Sequence, residues 1–300
     1  MNAIVGQSGG PTAVINSSLA GVYESAVERG AEKVYGMENG IQGFLERRVL
    51  DLSKYFDSPL NIEALKRTPS AFLGSCRYKL PDPNLPESEK LYEDIFAYLK
   101  ELNIGYFFYI GGNDSMDTIA KLSYYGEKKN SPIRFIGIPK TIDNDLVKTD
   151  HTPGYGSAAK YIAVTMKEII RDATVYGTDY VTIVEVMGRN AGWLTAASAL
   201  SKGPDCEGVD MICLPEIPFT CEGFLKKVEM LRKNKKSVVI AVSEGVKLPD
   251  GRYVCELNDD GHEEDAFGHK ALTGTARYLA NLVRKDFPTK IGRASCRERV

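Results

Sequence analysis

Three hundred residues, 43% of them hydrophobic, are enough to bury two cores and exclude a fibrous or disordered chain. A formal net charge of −2 with a pI near 6.0 excludes a global basic field for nucleic acid or anionic membrane, so a small anionic ligand has to be held by local cations and backbone amides. No run approaches the roughly 18 apolar residues of a membrane helix, and the six cysteines, without a CxxC pair or a histidine at metal-ligand spacing, predict a reduced cytoplasmic protein that carries no signal peptide.

The chain opens with a strand, Asn2-Ala3-Ile4-Val5-Gly6, followed by Gln7-Ser8-Gly9-Gly10-Pro11-Thr12 and a helix from about Thr12 to Glu28. This is the opening βα unit of a nucleotide-type fold. Lys33 to Met37 reads as a second strand, and Glu38-Asn39-Gly40 turns into a short helix around Gln42 to Leu45. From Ser88 to Leu102, the apolar residues Leu91, Ile95, Phe96, Tyr98, Leu99 and Leu102 fall at helical spacing. The strand Tyr106 to Ile110 follows and ends in Gly111-Gly112-Asn113-Asp114-Ser115. Another apolar run, Ile133 to Ile138, ends in Pro139-Lys140-Thr141-Ile142-Asp143-Asn144-Asp145.

Beyond Asp145, the stretch Thr152-Pro153-Gly154-Tyr155-Gly156-Ser157 fits an interdomain crossing and leads into a helix to about Asp172. The second half repeats the alternation. Strands are expected at Val181 to Val186, Met211 to Leu214 and Ser237 to Val242, and helices at Ala191 to Leu200, Cys221 to Lys233 and Ala266 to Arg284. Strands separated by helices imply parallel sheets with right-handed crossovers.

Both middle clusters stand where strands of an α/β sheet end and ligands collect. Their glycines let backbone N–H groups approach phosphate oxygens, and their acidic residues suit metal handling and proton removal. That chemistry is phosphoryl transfer. A carboxylate such as Asp143 is a candidate general base, because a hydroxyl acceptor is a poor nucleophile at neutral pH and needs an acceptor for its proton. Cys76 reads as a small buried thiol, Glu216 as structural and Trp193 as core.

A third cluster, Val184-Glu185-Val186-Met187-Gly188-Arg189, closes another β-type run. With Gln7 to Thr12, Gly111 to Ser115 and Pro139 to Asp145 it resembles the motifs of the phosphofructokinases, in order and with similar spacing from about residue 2 to about residue 290. The resemblance implies an α/β fold of two Rossmann-like three-layer α/β/α domains with parallel sheets and the active site between them. Residues 1–150 would bind the phosphoryl donor and 151–290 the sugar phosphate. It implies Asp143 as the catalytic base and Thr141 as a contact to the transferred phosphoryl group or the sugar. Gly9, Gly10, Gly112 and Arg77 would bind the donor, and Met187, Gly188, Arg189 and Glu244 the acceptor. Asn113 and Asp145 would help hold Mg²⁺, although aspartate is usual at the first of these positions and an amide binds the ion more weakly.

Asp114 and Lys140 mark the donor. ATP-dependent members usually carry glycine at both positions, and a carboxylate with an ammonium is the pattern of the diphosphate-dependent enzymes. The carboxylate places like charge where an α-phosphate would lie, and the lysine can neutralise the departing phosphate. The expected protein is therefore a cytoplasmic, magnesium-dependent phosphotransferase that moves phosphate reversibly from diphosphate to the 1-hydroxyl of fructose 6-phosphate. A homodimer or homotetramer is expected of the full-length chain. Tyr180 replaces an arginine that reaches a neighbouring subunit's site in bacterial ATP enzymes. An ATP-dependent phosphofructokinase, a lipid or NAD kinase, and an inactive truncated or regulatory subunit are the alternatives. Residues 291–300 show neither strand alternation nor a helical stripe, lack the family's Gln-Arg pair, and are expected to be a non-native tail that leaves a sheet edge exposed.

Overall fold

The computed structural model describes residues 1–175, 177–258 and 274–287, and the backbone of 290–296. The chain forms two compact units, and it passes from the first to the second between Thr141 and Ile142. This crossing precedes both the expected boundary at residue 150 and the Pro-Gly stretch after it. Residues 142–150 go with the second unit because Ile142 packs into a core there, and because the Asn144 side chain is hydrogen-bonded to the backbone of Asp150 and Thr152.

The first unit runs β1 (Asn2–Gln7), α1 (Ile15–Glu28), β2 (Val34–Met37), α2 (Gly40–Leu45), β3 (Val49–Asp51), α3 (Pro59–Arg67), α4 (Glu89–Glu101), β4 (Ile104–Gly111), α5 (Asn113–Lys128) and β5 (Arg134–Pro139). Its sheet has the order β3-β2-β1-β4-β5 and is parallel except for β3, which pairs antiparallel with β2. Periodicity misses β3 and α3. The strand is only three residues long, and α3 buries only Leu65. The N-terminus of α3 is nevertheless written locally, by Ser58 capping the Asn61 N–H and Pro59 in the first turn.

Alternation along the strands feeds two cores. Ala3 and Val5 of β1, with Phe108 and Ile110 of β4, face the side covered by α1 and α3, where Ile15, Leu19, Tyr23 and Leu65 pack. Ile4, Phe107 and Tyr109 face the other side, against Phe44 of α2, Tyr92, Ile95 and Leu99 of α4, and Leu122 and Tyr125 of α5. Each fully buried aliphatic or Phe side chain contributes roughly 1.5–3 kcal/mol. The strands read as continuous apolar runs because both faces are covered.

The second unit contains α6 (Tyr155–Thr174), β6 (Tyr180–Val186), α7 (Trp193–Ala197), β7 (Met211–Cys213), α8 (Cys221–Asn234), β8 (Ser237–Ser243), α9 (Thr275–Asp286) and β9 (Lys290–Cys296). Its sheet has the order β7-β8-β6-β9, with every pair parallel. Val181 and Ile183, with Val238, Ile240 and Val242, face α8 and α9. Val184 and Val186, with Val239 and Ala241, face α6 and α7. Each unit is thus a three-layer α/β/α sandwich, as expected.

Three expectations change. The helix at Ala191 to Leu200 is the shorter α7 continued by a 3₁₀ turn, Ser198–Ser201. Trp193 is 53% exposed rather than core, because Leu194 and Ala197 are the residues of α7 that meet α6. Residues 291–296, read as part of the tail, belong to β9, which pairs with β6 from Tyr180↔Lys290 to Val186↔Cys296. Strand pairing is made by main-chain groups, so weak side-chain alternation does not prevent it, and β9 rather than β6 ends the sheet on that side. The expected helix start at Ala266 lies outside the described residues.

Candidate functional site

In the first unit, parallel pairing brings the ends of β1, β4 and β5 to one edge, with Gln7 beside Ile110 and Gly111 beside Pro139. The loops leaving them lock together there. Ser8 N–H donates to Ile110 O at 2.9 Å, Lys140 N–H to Gly111 O at 2.9 Å, and the Ser8 and Ser115 hydroxyls are hydrogen-bonded. The buried Lys140 ammonium donates to Gly10 O at 2.5 Å. A side chain at Gly9 would begin 3.6 Å from Lys140 Nζ and 3.8 Å from Gly112 N, so cation and amides surround one small space. Gly9 is left-handed, φ +74°, which itself calls for glycine. Gly112 has φ −86°, and a Cβ there would meet nothing closer than Lys140 O at 4.0 Å, so neither strain nor crowding requires glycine there. Close approach of a ligand would.

The Arg77 loop is tied to the same place. Ser75 Oγ donates to Gly9 O at 2.5 Å, and Gly9 N–H to Cys76 O at 3.2 Å. Two buried amides hold this loop from below. Gln7 accepts from Leu73 N–H at 2.9 Å and donates to Asn16 Oδ1 at 3.0 Å, while Asn16 accepts from Phe72 N–H at 2.9 Å and donates to Thr68 O at 2.8 Å. Cys76 is buried as expected, with Sγ 3.5 Å from the Tyr109 hydroxyl. Burial pushes the Tyr109 phenol well above its ordinary value, so it stays protonated. Asp114 lies in the first turn of α5, where the helix dipole favours a carboxylate by about 0.3–1 kcal/mol.

In the second unit, Asp143 is half-buried and is followed by the buried, left-handed Asn144, φ +57°. Met187, Gly188 and Arg189 leave β6 beside Glu244, which follows β8. Gly188 N–H donates to Glu244 Oε1 at 3.3 Å, Ser243 Oγ donates to Gly188 O at 2.7 Å, and Glu244 N–H donates to Val186 O at 3.0 Å. Gly188 has φ +132°, and a Cβ there would meet Ala191 O at 2.4 Å. Gly245 lies so close to Arg189 that a Cβ would meet its carbonyl at 1.9 Å. The two expected acceptor loops therefore form one interlocked surface.

Glu185, buried on β6, accepts from Ala276 N–H at 2.9 Å and Gly274 N–H at 3.3 Å, while Thr275 Oγ1 donates to Glu244 O at 3.3 Å. The start of α9 is thereby fastened to the ends of both strands. Glu216, expected to be structural, accepts from Gly192 N–H at 2.6 Å.

The structure gathers Gly9, Gly10, Gly112 and Lys140 in one unit, with the Arg77 loop tied to them, and Met187, Gly188, Arg189 and Glu244 in the other. Thr141 ends the first unit and Asp143 stands near the start of the second. Asn113 and Asp145 are exposed and belong to different units, and no group of three potential metal-binding His, Cys, Asp or Glu side chains occurs among the described residues. Sequence reasoning passed over the supporting residues Gln7, Asn16, Ser75, Asn144, Glu185 and Ser243. The only local signal for them is their position inside or beside the glycine-containing clusters.

The phosphofructokinase family model matches residues 2–294. The chain belongs to the phosphofructokinase family. It is 42% identical over 293 residues to the pyrophosphate–fructose 6-phosphate 1-phosphotransferase of Xanthomonas campestris pv. campestris, a match covering 97% of this chain and 68% of that protein. The crystal structure of the pyrophosphate-dependent phosphofructokinase of Nitrosospira multiformis matches with a TM-score of 0.83 at 38% identity, over 99% of this chain and 68% of that one. An ATP-dependent 6-phosphofructokinase of Erwinia tasmaniensis is 32% identical over 257 residues, covering 84% and 69%. Among the described residues no helix is long and apolar enough to cross a membrane.

Proposed function

We propose that this phosphofructokinase transfers a phosphoryl group from diphosphate to the 1-hydroxyl of fructose 6-phosphate, reversibly, giving fructose 1,6-bisphosphate and phosphate. The observation that carries the donor is the buried Lys140 ammonium set against the glycine loop, 3.6 Å from where a Gly9 Cβ would stand. A cation among amides suits a compact dianionic leaving phosphate. Asp114, one position past Asn113 at the head of α5, adds a negative charge that disfavours a third phosphate. The similarity to pyrophosphate-dependent relatives, at 42% against 32% for the ATP-dependent one, supports the same choice.

The first unit is the donor-binding domain and the second the sugar-phosphate domain. Gly9, Gly10 and Gly112 bring backbone amides to diphosphate, and Arg77 adds its guanidinium. Asp143 takes the proton of the 1-hydroxyl as attack proceeds, Thr141 contacts the phosphoryl group in transit, and Lys140 stabilises the departing phosphate. Met187, Gly188, Arg189 and Glu244 hold the sugar phosphate, with Arg189 on its phosphate and Glu244 on its hydroxyls. Glu244 already accepts one N–H, from Gly188, which fixes its carboxylate for that task.

Mg²⁺ usually takes one or two carboxylates and completes its shell with water and phosphate oxygens. The donor set here fits that habit. Asp114 and Asn113, adjacent at the head of α5, would hold the ion with the diphosphate, and Asp145 is the candidate ligand of the second unit. When bound, Mg²⁺ neutralises charge on the phosphate oxygens. The protein works in the reducing cytoplasm, at full length as a homodimer or homotetramer.

The test compares diphosphate and ATP in a coupled turnover assay and by calorimetric binding. Diphosphate should bind and turn over with kcat/KM at least about 10²-fold above ATP, the size expected of several kcal/mol of like-charge exclusion. Preference for ATP in both measurements would overturn the donor assignment.

A further inference from the structure

We infer that Asn144 is a positioning residue for the general base, an inference that rests on the reading of Asp143 as that base. Asn144 directly follows Asp143 and is left-handed, with φ +57°, a conformation that asparagine tolerates better than most residues. Its side chain is buried and used at both ends. Nδ2 donates to Asp150 O at 3.1 Å, and Oδ1 accepts from Thr152 N–H at 2.9 Å. One side chain thus closes the loop from 144 to 152.

The far side of that tie is anchored. Thr152 is buried and its carbonyl accepts from Tyr155 N–H at 3.1 Å, at the first residue of α6. The 20-residue helix α6 is held to the sheet by Ala158, Ile162, Met166 and Ile170. A rigid helix therefore fixes Thr152, Thr152 and Asp150 fix Asn144, and Asn144 sets the backbone from which the Asp143 carboxylate projects. The loop between carries little packing of its own, since Asp145 and residues 147–150 are exposed and Val147 is 87% exposed. A misplacement of about 1 Å costs roughly 10²-fold in rate.

Two variants separate backbone conformation from the tie. Asn144→Gly keeps access to the left-handed conformation and loses both hydrogen bonds, whereas Asn144→Ala loses the bonds and strains the backbone as well. Both should lower kcat by about 10–10²-fold, with KM for diphosphate and for fructose 6-phosphate changed by less than about threefold. Amide hydrogen exchange at Thr152 should quicken in both, while exchange in β6 and β8 stays slow, showing that the unit is folded. Because Asn144 acts through Asp143, Asn144→Gly added to Asp143→Asn should cost less than about threefold more.

Retention of kcat within about threefold in Asn144→Gly, or unchanged exchange at Thr152, would overturn the positioning role while leaving Asp143 in place. A full additional loss in the double variant would do the same. Near-parental turnover in Asp143→Asn alone would instead remove the base assignment, and the inference with it.

Discussion

Asp143 and Lys140 stand three positions apart, on either side of the point where the chain leaves its first unit, and the proposed mechanism gives them different parts of the reaction. The base acts in the transition state, so Asp143→Ser should lower turnover by roughly 10²–10⁴-fold with little change in substrate affinity, a split read from steady-state kcat and KM. Turnover within a factor of three of the parent would remove the assignment. In the same proposal Lys140 and Asp114 set donor choice. Lys140 shares its space with Gly9 and Gly112, so Lys140→Gly removes bulk and charge from beside the amides, and Asp114→Gly removes the repelling carboxylate. The ratio of ATP to diphosphate use should rise most in the double variant, because both residues bear on one ligand. An unchanged donor ratio would show that these positions do not read the donor. The types and spacing of both residues were legible in the sequence. The burial of Lys140 against Gly10 was not, since it depends on how β1 and β5 are brought to one edge across β4.

At the scale of elements, the loops leaving β6 and β8 show how a site surface is fixed by backbone rather than by side-chain bulk. Gly188 is left-handed and its missing Cβ is what allows Ala191 O to approach. Gly188→Ala should destabilise the protein by about 1–3 kcal/mol, the usual cost of a non-glycine residue in such a conformation, and should raise KM for fructose 6-phosphate by displacing Arg189. A lower urea midpoint with an unchanged slope would confirm it, and an unshifted midpoint would show that the turn relaxes at no cost. The glycine was visible in the sequence as part of Met187-Gly188-Arg189. Its partner Gly245, against which Arg189 O is seated, was not, because the two lie in loops that leave strands brought together only by the sheet. The exposed Trp193 makes the same point in reverse. An indole reads as core by its hydrophobicity, yet the short α7 turns Leu194 and Ala197 toward α6 and leaves its first residue outside.

At the scale of the molecule, each sheet is covered on both faces, and burial keeps the Cys213 and Cys255 thiols protonated. The Cys213 thiol is pushed up to about 12 by desolvation, and that of Cys255 to about 11 by desolvation reinforced by Glu185 and Glu256. Unfolded thiols ionise near pH 8.5, so above that value the unfolded chain releases protons that the folded chain still holds. Their contribution is complete below the unfolded pKa and is lost as pH rises toward the folded values. The urea midpoint should fall between about pH 8.5 and pH 11, and fall less steeply in a Cys213→Ala, Cys255→Ala double variant. Equal slopes with and without the thiols would show that other groups carry the alkaline loss.

The sequence by itself determined the α/β class, most helices and strands, and the clusters that identify the family. These follow from local causes: apolar runs of strand length, helical spacing, and glycines where a chain must turn tightly. Tertiary structure decided what depends on distant partners. It moved the crossing between units to Thr141 and Ile142, since the Asn144 ties and the packing of Ile142 appear only once α6 is in place. It recruited residues 290–296 into β9, because β6 offers main-chain groups that almost any extended segment can pair. It also made Gln7 and Asn16 the support of the Arg77 loop, although more than fifty positions separate each from the segment it holds, a relation carried by hydrogen bonds and invisible to any local pattern.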